Sequence, residues 1–428
     1  MQKGARAANT VRAAGLELGS ASVLAVILAG NAFAAVGIGP PPPPPEAGNI
    51  YVLYAGIQEE YDGNLYRLPD VHGIVANLVS PNASVADSIT TGSVGIDAQH
   101  EFGRQTVLAD IHLDESRFAH NTTLNNTSGY GKLHLNWQVG PYFSGTAGAN
   151  YSRTLVNFGE ALFLGRDLLD TTDYFGTARY QVGPQWALYG GLDDASVQHS
   201  AVAARAGDFH SKGGQAGVEY ALTPTDTFGL EYRYTENRFP PGEVFTISGI
   251  TFSPNFHEDT ALFLVKHAFS DKTQLSANVG YQKRLYPNTL IGAFSGNVWR
   301  LSLDWQPTEK TQINFATWHE LHAYLVSQSN YFISKGGSIK PTWLATEKFS
   351  VSMLFSYEKQ NYIPESTSVV ALGPLNAKVA VEQVAVNYSP RSSWTMSLSY
   401  THARRDSNAQ SFRYGDDLAN FSVLYKTH

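Results

Sequence analysis

Cysteine is absent from the chain, so disulfide frameworks, thiolate metal sites and cysteine nucleophiles are excluded. Charge is scarce, at 16% of residues. After the first 35 residues nothing approaches the ~20 consecutive apolar residues of a membrane-spanning helix, which rules out a bundle of such helices. Positive charge is in shortest supply: 30 basic against 37 acidic residues give −7, with a sequence pI near 6.0. A protein built to neutralise phosphates carries the opposite balance, so nucleic acid is not an expected partner. What the 428 residues hold in quantity is 38 glycines and 52 aromatics, 23 of them tyrosine, 22 phenylalanine and 7 tryptophan.

The N-terminus reads as an address. Lys3, Arg6 and Arg12 precede the apolar run Val23 to Leu28, and Ala32-Phe33-Ala34 places small residues where a signal peptidase cuts. Residues 1–34 are therefore expected to be a cleavable secretory signal, too short and too interrupted by Glu17 and Gly19 for an anchor helix. Cleavage would leave 27 basic and 36 acidic residues, a charge of −9. Six prolines, Pro40 to Pro45, follow. At ~3.1 Å per residue they form a stiff spacer of roughly 19 Å, and residues 35–49 are expected to be a periplasmic linker rather than a docking peptide.

From Ile50 onward the apolar pattern has period two. Leu133, Leu135, Trp137 and Val139 alternate with Lys132, His134, Asn136 and Gln138. Phe228 to Tyr234, Leu275 to Tyr281, Trp299 to Trp305 and Trp394 to Tyr400 repeat the scheme. In an extended chain this puts every apolar group on one face. Turn signals punctuate the strands at Gly103, Gly140-Pro141, Gly183-Pro184, Pro224-Thr225-Asp226, Asp271-Lys272, Pro307-Thr308-Glu309, Thr346-Glu347 and Pro390-Arg391. Eight such hairpins, with a first strand near Tyr51 to Tyr61 and a last near Phe412 to Lys426, make eighteen strands, sixteen being the alternative. Longer connections rich in Gly, Pro, Asn or Ser fall at residues 62–87, 158–167, 240–255, 286–293 and 363–374.

Strands of about 10 to 15 residues exceed the usual ~5 to 6 of soluble sheets and match a tilted crossing of hydrocarbon. Trp137, Trp186, Trp305, Trp343 and Trp394, with Phe143, Tyr220, Phe269, Phe349 and Tyr388, cluster beside the tight turns, the pattern of a girdle at one membrane interface. The expected fold over residues 50–428 is all-β: a transmembrane antiparallel up-and-down barrel with short periplasmic turns and longer extracellular loops, placed in a bacterial outer membrane. A soluble propeller or solenoid shares the alternation but not the end-clustered aromatics.

If the apolar faces meet lipid, the other faces line a wide lumen. The pore-lining candidates are Asp110, His112, Asp114, Lys132, His134, Glu231, Arg233, Arg300, Asp304 and Glu358, with Asn136, Ser352 and Ser356 beside them. Mixed charge among many hydroxyls and amides suits neutral polar solutes such as carbohydrate, although lumenal charges also serve simply to brace a wall. Catalytic signatures are weak. His319-Glu320-Leu321-His322 has one residue too few between its histidines for a helical zinc motif and falls in a strand. In Asp193-Asp194 and Asp416-Asp417, alternation sends adjacent carboxylates to opposite faces unless they sit in loops. No nucleophile elbow or phosphate-cradling loop occurs. No enzymatic activity, cofactor or metal is expected, a dispersed Ser, His and Asn constellation being the one hydrolase arrangement that sequence reading does not see.

Several phrases resemble the outer-membrane β-barrel porins of exosortase-associated exopolysaccharide clusters, the EpsL-like family. Tyr61-Asp62-Gly63-Asn64-Leu65-Tyr66-Arg67-Leu68-Pro69 is similar to that family's opening signature, and Gly103-Arg104-Gln105 to its first tight turn. Leu303 to Thr311, Ser329-Asn330-Tyr331 and Pro341-Thr342-Trp343 resemble its later phrases. The resemblance implies a part in polysaccharide export, with polymer or small sugars in the lumen and a periplasmic export component as partner. It marks Asp62, Asn64 and Arg67 as motif residues, able either to bind at the first loop or to hold a turn. A general diffusion porin is the alternative reading, distinguished by a loop folded inside as a constriction, and an outer-membrane hydrolase the second.

Overall fold

In the computed structural model the described residues are 48–69, 84–159, 164–240, 245–247, 250–252, 255–287, 293–326, 329–364 and 375–427. The expected signal at 1–34 and nearly all of the linker at 35–49 lie outside them. Strands dominate: β1 (Ile50–Asp62), β2 (Asp87–Phe102), β3 (Gln105–Phe118), β4 (Asn126–Val139), β5 (Phe143–Leu155), β6 (Leu168–Gln181), β7 (Trp186–His199), β8 (Phe209–Ala221) and β9 (Thr227–Arg238) run in sequence. A small hairpin, β10 (Phe245–Ile247) and β11 (Ile250–Phe252), intervenes. Then follow β12 (Phe256–Ser270), β13 (Thr273–Leu285), β14 (Phe294–Thr308), β15 (Thr311–Val326), β16 (Ser329–Thr346), β17 (Phe349–Pro364), β18 (Asn376–Arg391), β19 (Trp394–Ser407) and β20 (Tyr414–Lys426).

Each long strand pairs antiparallel with its neighbours in the chain, β9 pairs with β12, and β1 pairs with β20 from Tyr54↔Lys426 to Asp62↔Leu418. The sheet is thus a closed barrel of eighteen strands. Closure follows from the solvent, since lipid offers no partner to a peptide N–H or C=O and an open edge would strand a row of them. All eight expected tight turns fall at one end, between β2 and β3, β4 and β5, β6 and β7, β8 and β9, β12 and β13, β14 and β15, β16 and β17, and β18 and β19. Gly103, Gly140 and Gly183 take positive φ there (66°, 63° and 92°), which side chains with a Cβ rarely adopt. Three turns share a pattern: the N–H of Lys272, Lys310 and Lys348 donates to the hydroxyl of Ser270, Thr308 and Thr346, each at 3.2 Å. Their carbonyls accept from Gln306, Leu344 and Ser389 on the next hairpins, stitching the turns into a rim.

The opposite end carries the longer loops. Besides those expected, residues 119–125, 200–208 and 408–413 form connections containing short 3-10 helices at Thr122–Leu124, Val202–Gly207 and Gln410–Phe412. Their Asn and Ala content gives no strong break in period, which is why they read as strand continuations.

The apolar faces point outward. Leu53, Ile57, Val94, Ile111, Leu113, Leu133, Leu188, Leu230, Phe263, Val279, Phe355 and Leu398 are exposed on the outside of the wall. At the turn end the rings pack in pairs: Phe143 on Tyr180 (4.6 Å), Trp186 on Tyr220 (4.8 Å) and Trp394 on Tyr425 (5.0 Å). The expectation of aromatics at one end only needs correcting. Tyr151, Tyr174, Tyr232, Tyr234, Tyr281, Tyr357 and Tyr400 form a second exposed band nearer the loops. Their hydroxyls seek polar company there, as Tyr151 donates to Asp170 and Tyr400 to Asp417, both at 2.6 Å. Tryptophan, phenylalanine and tyrosine together thus mark the turn-end interface, and this band of tyrosines the loop-end one.

Inside, glycines make room for rings from the neighbouring strand. A Cβ on Gly95 would lie 2.2 Å from the ring of Tyr54, one on Gly217 2.4 Å from that of Tyr189, and one on Gly336 2.7 Å from that of Trp318. Gly217→Val should therefore force Tyr189 aside and cost about 1–3 kcal/mol in urea-induced unfolding in detergent. Gly176→Val, with nothing within 4 Å of its added Cβ, should leave the midpoint unchanged.

Candidate functional site

At the seam where β1 meets β20, the resemblance motif forms one polar knot. Arg67, itself at φ 53°, donates to both oxygens of Asp62 (2.8 and 3.0 Å) and to the Asn64 carbonyl (2.5 Å), and its other arm reaches Asp416 at 3.1 Å. The Asn64 N–H donates to Asp62 (2.9 Å) and Asp416 (3.0 Å), while the Asn64 amide donates to Leu68 and Gly415 carbonyls, both at 2.9 Å. Burial alone would lower the Arg67 pKa. The two carboxylates outweigh it and hold the guanidinium above its ordinary value. Asp62, Asn64 and Arg67 thus have their polar groups directed to one another and to β20.

The second feature is the loop between β5 and β6. Its neck is closed by Val156 N–H donating to the Asp167 carbonyl at 3.0 Å, and Asp167 is buried against His199 at 2.6 Å. Beyond the neck, the buried Phe158 packs on Tyr66 of the first loop, ring centroids 4.9 Å apart. The Gly159 carbonyl accepts from Arg405 at 3.0 Å. Arg405 stands on β19, six strands around the wall from β5. Residues 156–159 therefore form a strap that reaches from β5 toward β19 at the mouth, and Gly159 sits where a Cβ would come 3.4 Å from both Arg67 and Tyr414.

From Arg405 a hydrogen-bonded chain descends the inner wall. Arg405 donates to the Tyr362 hydroxyl, Tyr362 to Gln360 (2.8 Å), Gln360 to Glu358 (2.6 Å) and Ser334 to the other Glu358 oxygen (2.7 Å), with the Trp318 indole on Ser334 at 2.9 Å. Arg300, whose guanidinium lies over Trp318, holds Glu320 through two arms at 2.7 and 2.5 Å.

All ten lining candidates lie on the face opposite the apolar belt. Most are engaged with a partner. Lys132 lies 3.7 Å from Asp110. His112 sits between the rings of Tyr54 and Tyr130 and reaches Asp114 at 2.7 Å, and Asp114 accepts from Ser93 at 2.5 Å. His134 meets Asn150 at 2.8 Å and Asp304 accepts from Asn314 at 2.7 Å. Arg233 pairs with Glu231, which also accepts from Tyr189 at 2.8 Å. These contacts make three dispersed groups, around Asp110, around Glu231 and around Glu358, with no common centre. In the tempting motif, His319 faces out, Glu320 is held by Arg300, and His322 stacks on Phe332 at 5.2 Å. No group of three metal-ligating side chains occurs among the described residues. Asp193 faces in while Asp194 binds His210 outside at 2.5 Å, and Asp416 and Asp417 divide in the same way.

The ion pairs Arg179 with Glu219 (2.9 Å through both arms) and Arg284 with Glu258 (2.7 Å) were not singled out from the sequence, nor was Arg405. Period two assigns them inward. Nothing in it says which residue on another strand completes the pair, Glu258 directly opposite Arg284 on the adjacent strand or Glu219 two strands from Arg179.

The family model described as Putative beta-barrel porin 2 matches residues 265–426, from within β12 to the end of β20. No curated protein matches the chain. Among solved structures, the chain is similar to the outer membrane protein opdK of Pseudomonas aeruginosa, with TM-score 0.47 and 12% identity over 88% of this chain and 99% of that one. OccK2 (OpdF) of the same organism, crystallised in complex with glucuronate, gives TM-score 0.48 and 11% identity over 89% and 98%. OprD gives 0.44 and 11% over 88% and 95%. The closed barrel and its two aromatic bands identify an outer-membrane β-barrel, similar over its C-terminal part to a porin family.

Removing the Arg67 guanidinium leaves two buried carboxylates facing each other at the seam. Arg67→Ala should destabilise the folded barrel by about 3–5 kcal/mol, measured as a fall in the urea midpoint, because an uncompensated buried charge costs far more than a pair contributes.

Proposed function

We propose that the barrel is a diffusion channel for small, neutral polar solutes, narrowed at the mouth by the strap of residues 156–159 that follows β5. The single observation that carries this reading is the contact between Gly159 and Arg405, which holds a loop from one side of the mouth against the other. A second observation supports it. Arg179, Arg233, Arg284 and Arg300 each hold a glutamate of the same wall, so these guanidinium groups are cancelled locally and the free charge of the lining is confined to scattered carboxylates such as Asp173, Asp193 and Asp304. Solutes would then be sorted by size and by their ability to exchange hydrogen bonds with hydroxyls and amides. Small sugars fit that description, and no periplasmic partner is needed for passage.

Polymer export remains the second reading, favoured by the opening phrase from Tyr61 to Pro69. Two features weigh against it. The motif residues bind one another and β20 rather than facing the lumen, and a strap tethered at both ends opposes a polymer threading the mouth.

Reconstituted alone in planar bilayers, the protein should conduct steadily with weak ion selectivity, and liposomes bearing it should swell in small neutral sugars at rates falling with solute size. Arg405→Ala frees the far end of the strap and should raise single-channel conductance up to about twofold, as expected when a tethered loop leaves a pore. A silent barrel, combined with loss of exported polymer on deletion in the native host, would overturn the diffusion reading.

A further inference from the structure

The outward wall carries one feature that neither folding nor solute passage uses. On β15 to β18 the registers His319↔Lys335, Lys335↔Lys359 and Lys359↔Lys378 place one histidine and three lysines side by side across four strands. Alternation puts them on the same side as the exposed Phe355 and Tyr357, outside the barrel, and all three lysines are exposed. Directly opposed residues on an antiparallel pair have Cβ atoms roughly 4.5–5.5 Å apart, where like charges are destabilising.

Elsewhere on the same outer level, most basic groups have a carboxylate beside them: Arg117 pairs with Glu115 at 2.6 Å, Arg153 with Asp170 at 3.7 Å, Lys212 with Asp194 at 3.5 Å and Arg238 with Glu236 at 2.8 Å, and Lys283, outside ion-pair distance, stands directly opposite Asp259. Lys335, Lys359 and Lys378 have no carboxylate within ion-pair distance among the described residues. The acids packed around them are committed elsewhere. Asp406, opposite Lys378 on β19, is held by Arg404 at 3.1 Å, and Glu358 turns inward to Ser334 and Gln360. Glu382 lies four residues further down β18.

The height of the row identifies what it meets. Lys359 stands ten residues above Phe349, the first residue of β17 at the turn rim. At the usual rise and tilt that is roughly 25 Å along the barrel axis, the height of the apolar belt. The lysines therefore sit just above the tyrosine band, where acyl chains end and the head groups of the outer leaflet begin.

We propose that this row is a docking site for a phosphorylated glycolipid of the outer leaflet, the phosphates lying across Lys335, Lys359 and Lys378 and the acyl chains running down over Tyr357, Phe355 and Ile339. Phosphate supplies the negative charge that the wall lacks, and the apolar strip directly below gives the chains a surface that a free anion would not use. The proposal rests on the outer-membrane placement of the barrel and is independent of what passes through it.

The test titrates the full-length protein in mild detergent with a bis-phosphorylated glucosamine lipid and, in parallel, with the same lipid lacking phosphates, reading bound lipid by native mass spectrometry. The native protein should retain the phosphorylated lipid and not its phosphate-free form. The triple variant K335Q/K359Q/K378Q should bind about fivefold more weakly per lysine removed, on the order of a hundredfold in all, and K335R/K359R/K378R should bind as the native protein does. In lipid-free detergent the triple glutamine variant should unfold no earlier than the native chain, since it removes only repulsion. Equal binding of both lipids, unchanged binding by the glutamine variant, or its early unfolding would overturn the proposal. So would displacement of the lipid by millimolar inorganic phosphate, which would mark a simple anion site, or a change of oligomeric state without a change in lipid binding, which would mark a contact between barrels.

Discussion

A peptide group inside a bilayer finds no hydrogen-bond partner except another peptide group, and this one constraint organises the molecule. It requires β1 to find β20 and leaves no edge anywhere around the ring of eighteen strands. The seam is the one junction that local hairpins cannot make, because its two strands come from opposite ends of the barrel sequence. The knot of Asp62, Asn64, Arg67 and Asp416 lies at its loop end. Asn64 alone bonds the first loop to itself through Leu68 and to β20 through Gly415. A cross-chain junction of high sequence separation is slow to form by chance, so a dense polar latch there contributes where entropy is most adverse.

With lipid outside, the ordinary relation of core to surface inverts. Leucines and valines need no cover on the outer face, and the buried clusters lie inside the barrel, the two largest of them within the mouth. One gathers Leu65, Tyr66, Phe118, Leu124 and Phe158 under the first loop, and another gathers Phe239, Phe256, Tyr286, Leu321 and Tyr331. These clusters position the strap. Phe158 is buried among residues of three different connections, so the segment leading to Gly159 is held by packing as well as by Arg405. Residues 156–159 are thus part of the barrel's apolar interior rather than a segment resting in water.

The architecture was legible in the residues because period two is a geometric property of any strand and survives without knowledge of its neighbours. Turn chemistry was legible for the same reason: Gly103, Gly140 and Gly183 act locally. What escaped was relational. Nothing near Arg405 in the chain indicates Gly159, 246 residues away, and Glu231 with Arg233 reads the same whether the two face water or each other. The tyrosine band was missed because its members lie mid-strand in sequence. Their common height appears only once the strands are tilted and set in register. The lysine row was invisible for the same reason, since its members lie on separate strands and are brought side by side only by pairing.

The two faces of the wall treat charge differently, and the contrast says where binding energy is available. Inside, each of Arg179, Arg233, Arg284 and Arg300 already has a carboxylate. Most outward bases at the loop end are saturated in the same way, which keeps the barrel indifferent to its surroundings around much of its circumference. On β15 to β18 that rule lapses, and three lysines face one another without a counter-charge from the chain. Repulsion of this kind costs some stability, and an anion seated on the row would offset it. The unsatisfied positive charge thus lies on the membrane-facing side of the wall, whereas the guanidinium groups of Arg179, Arg233, Arg284 and Arg300 on the lumenal side are matched by glutamates.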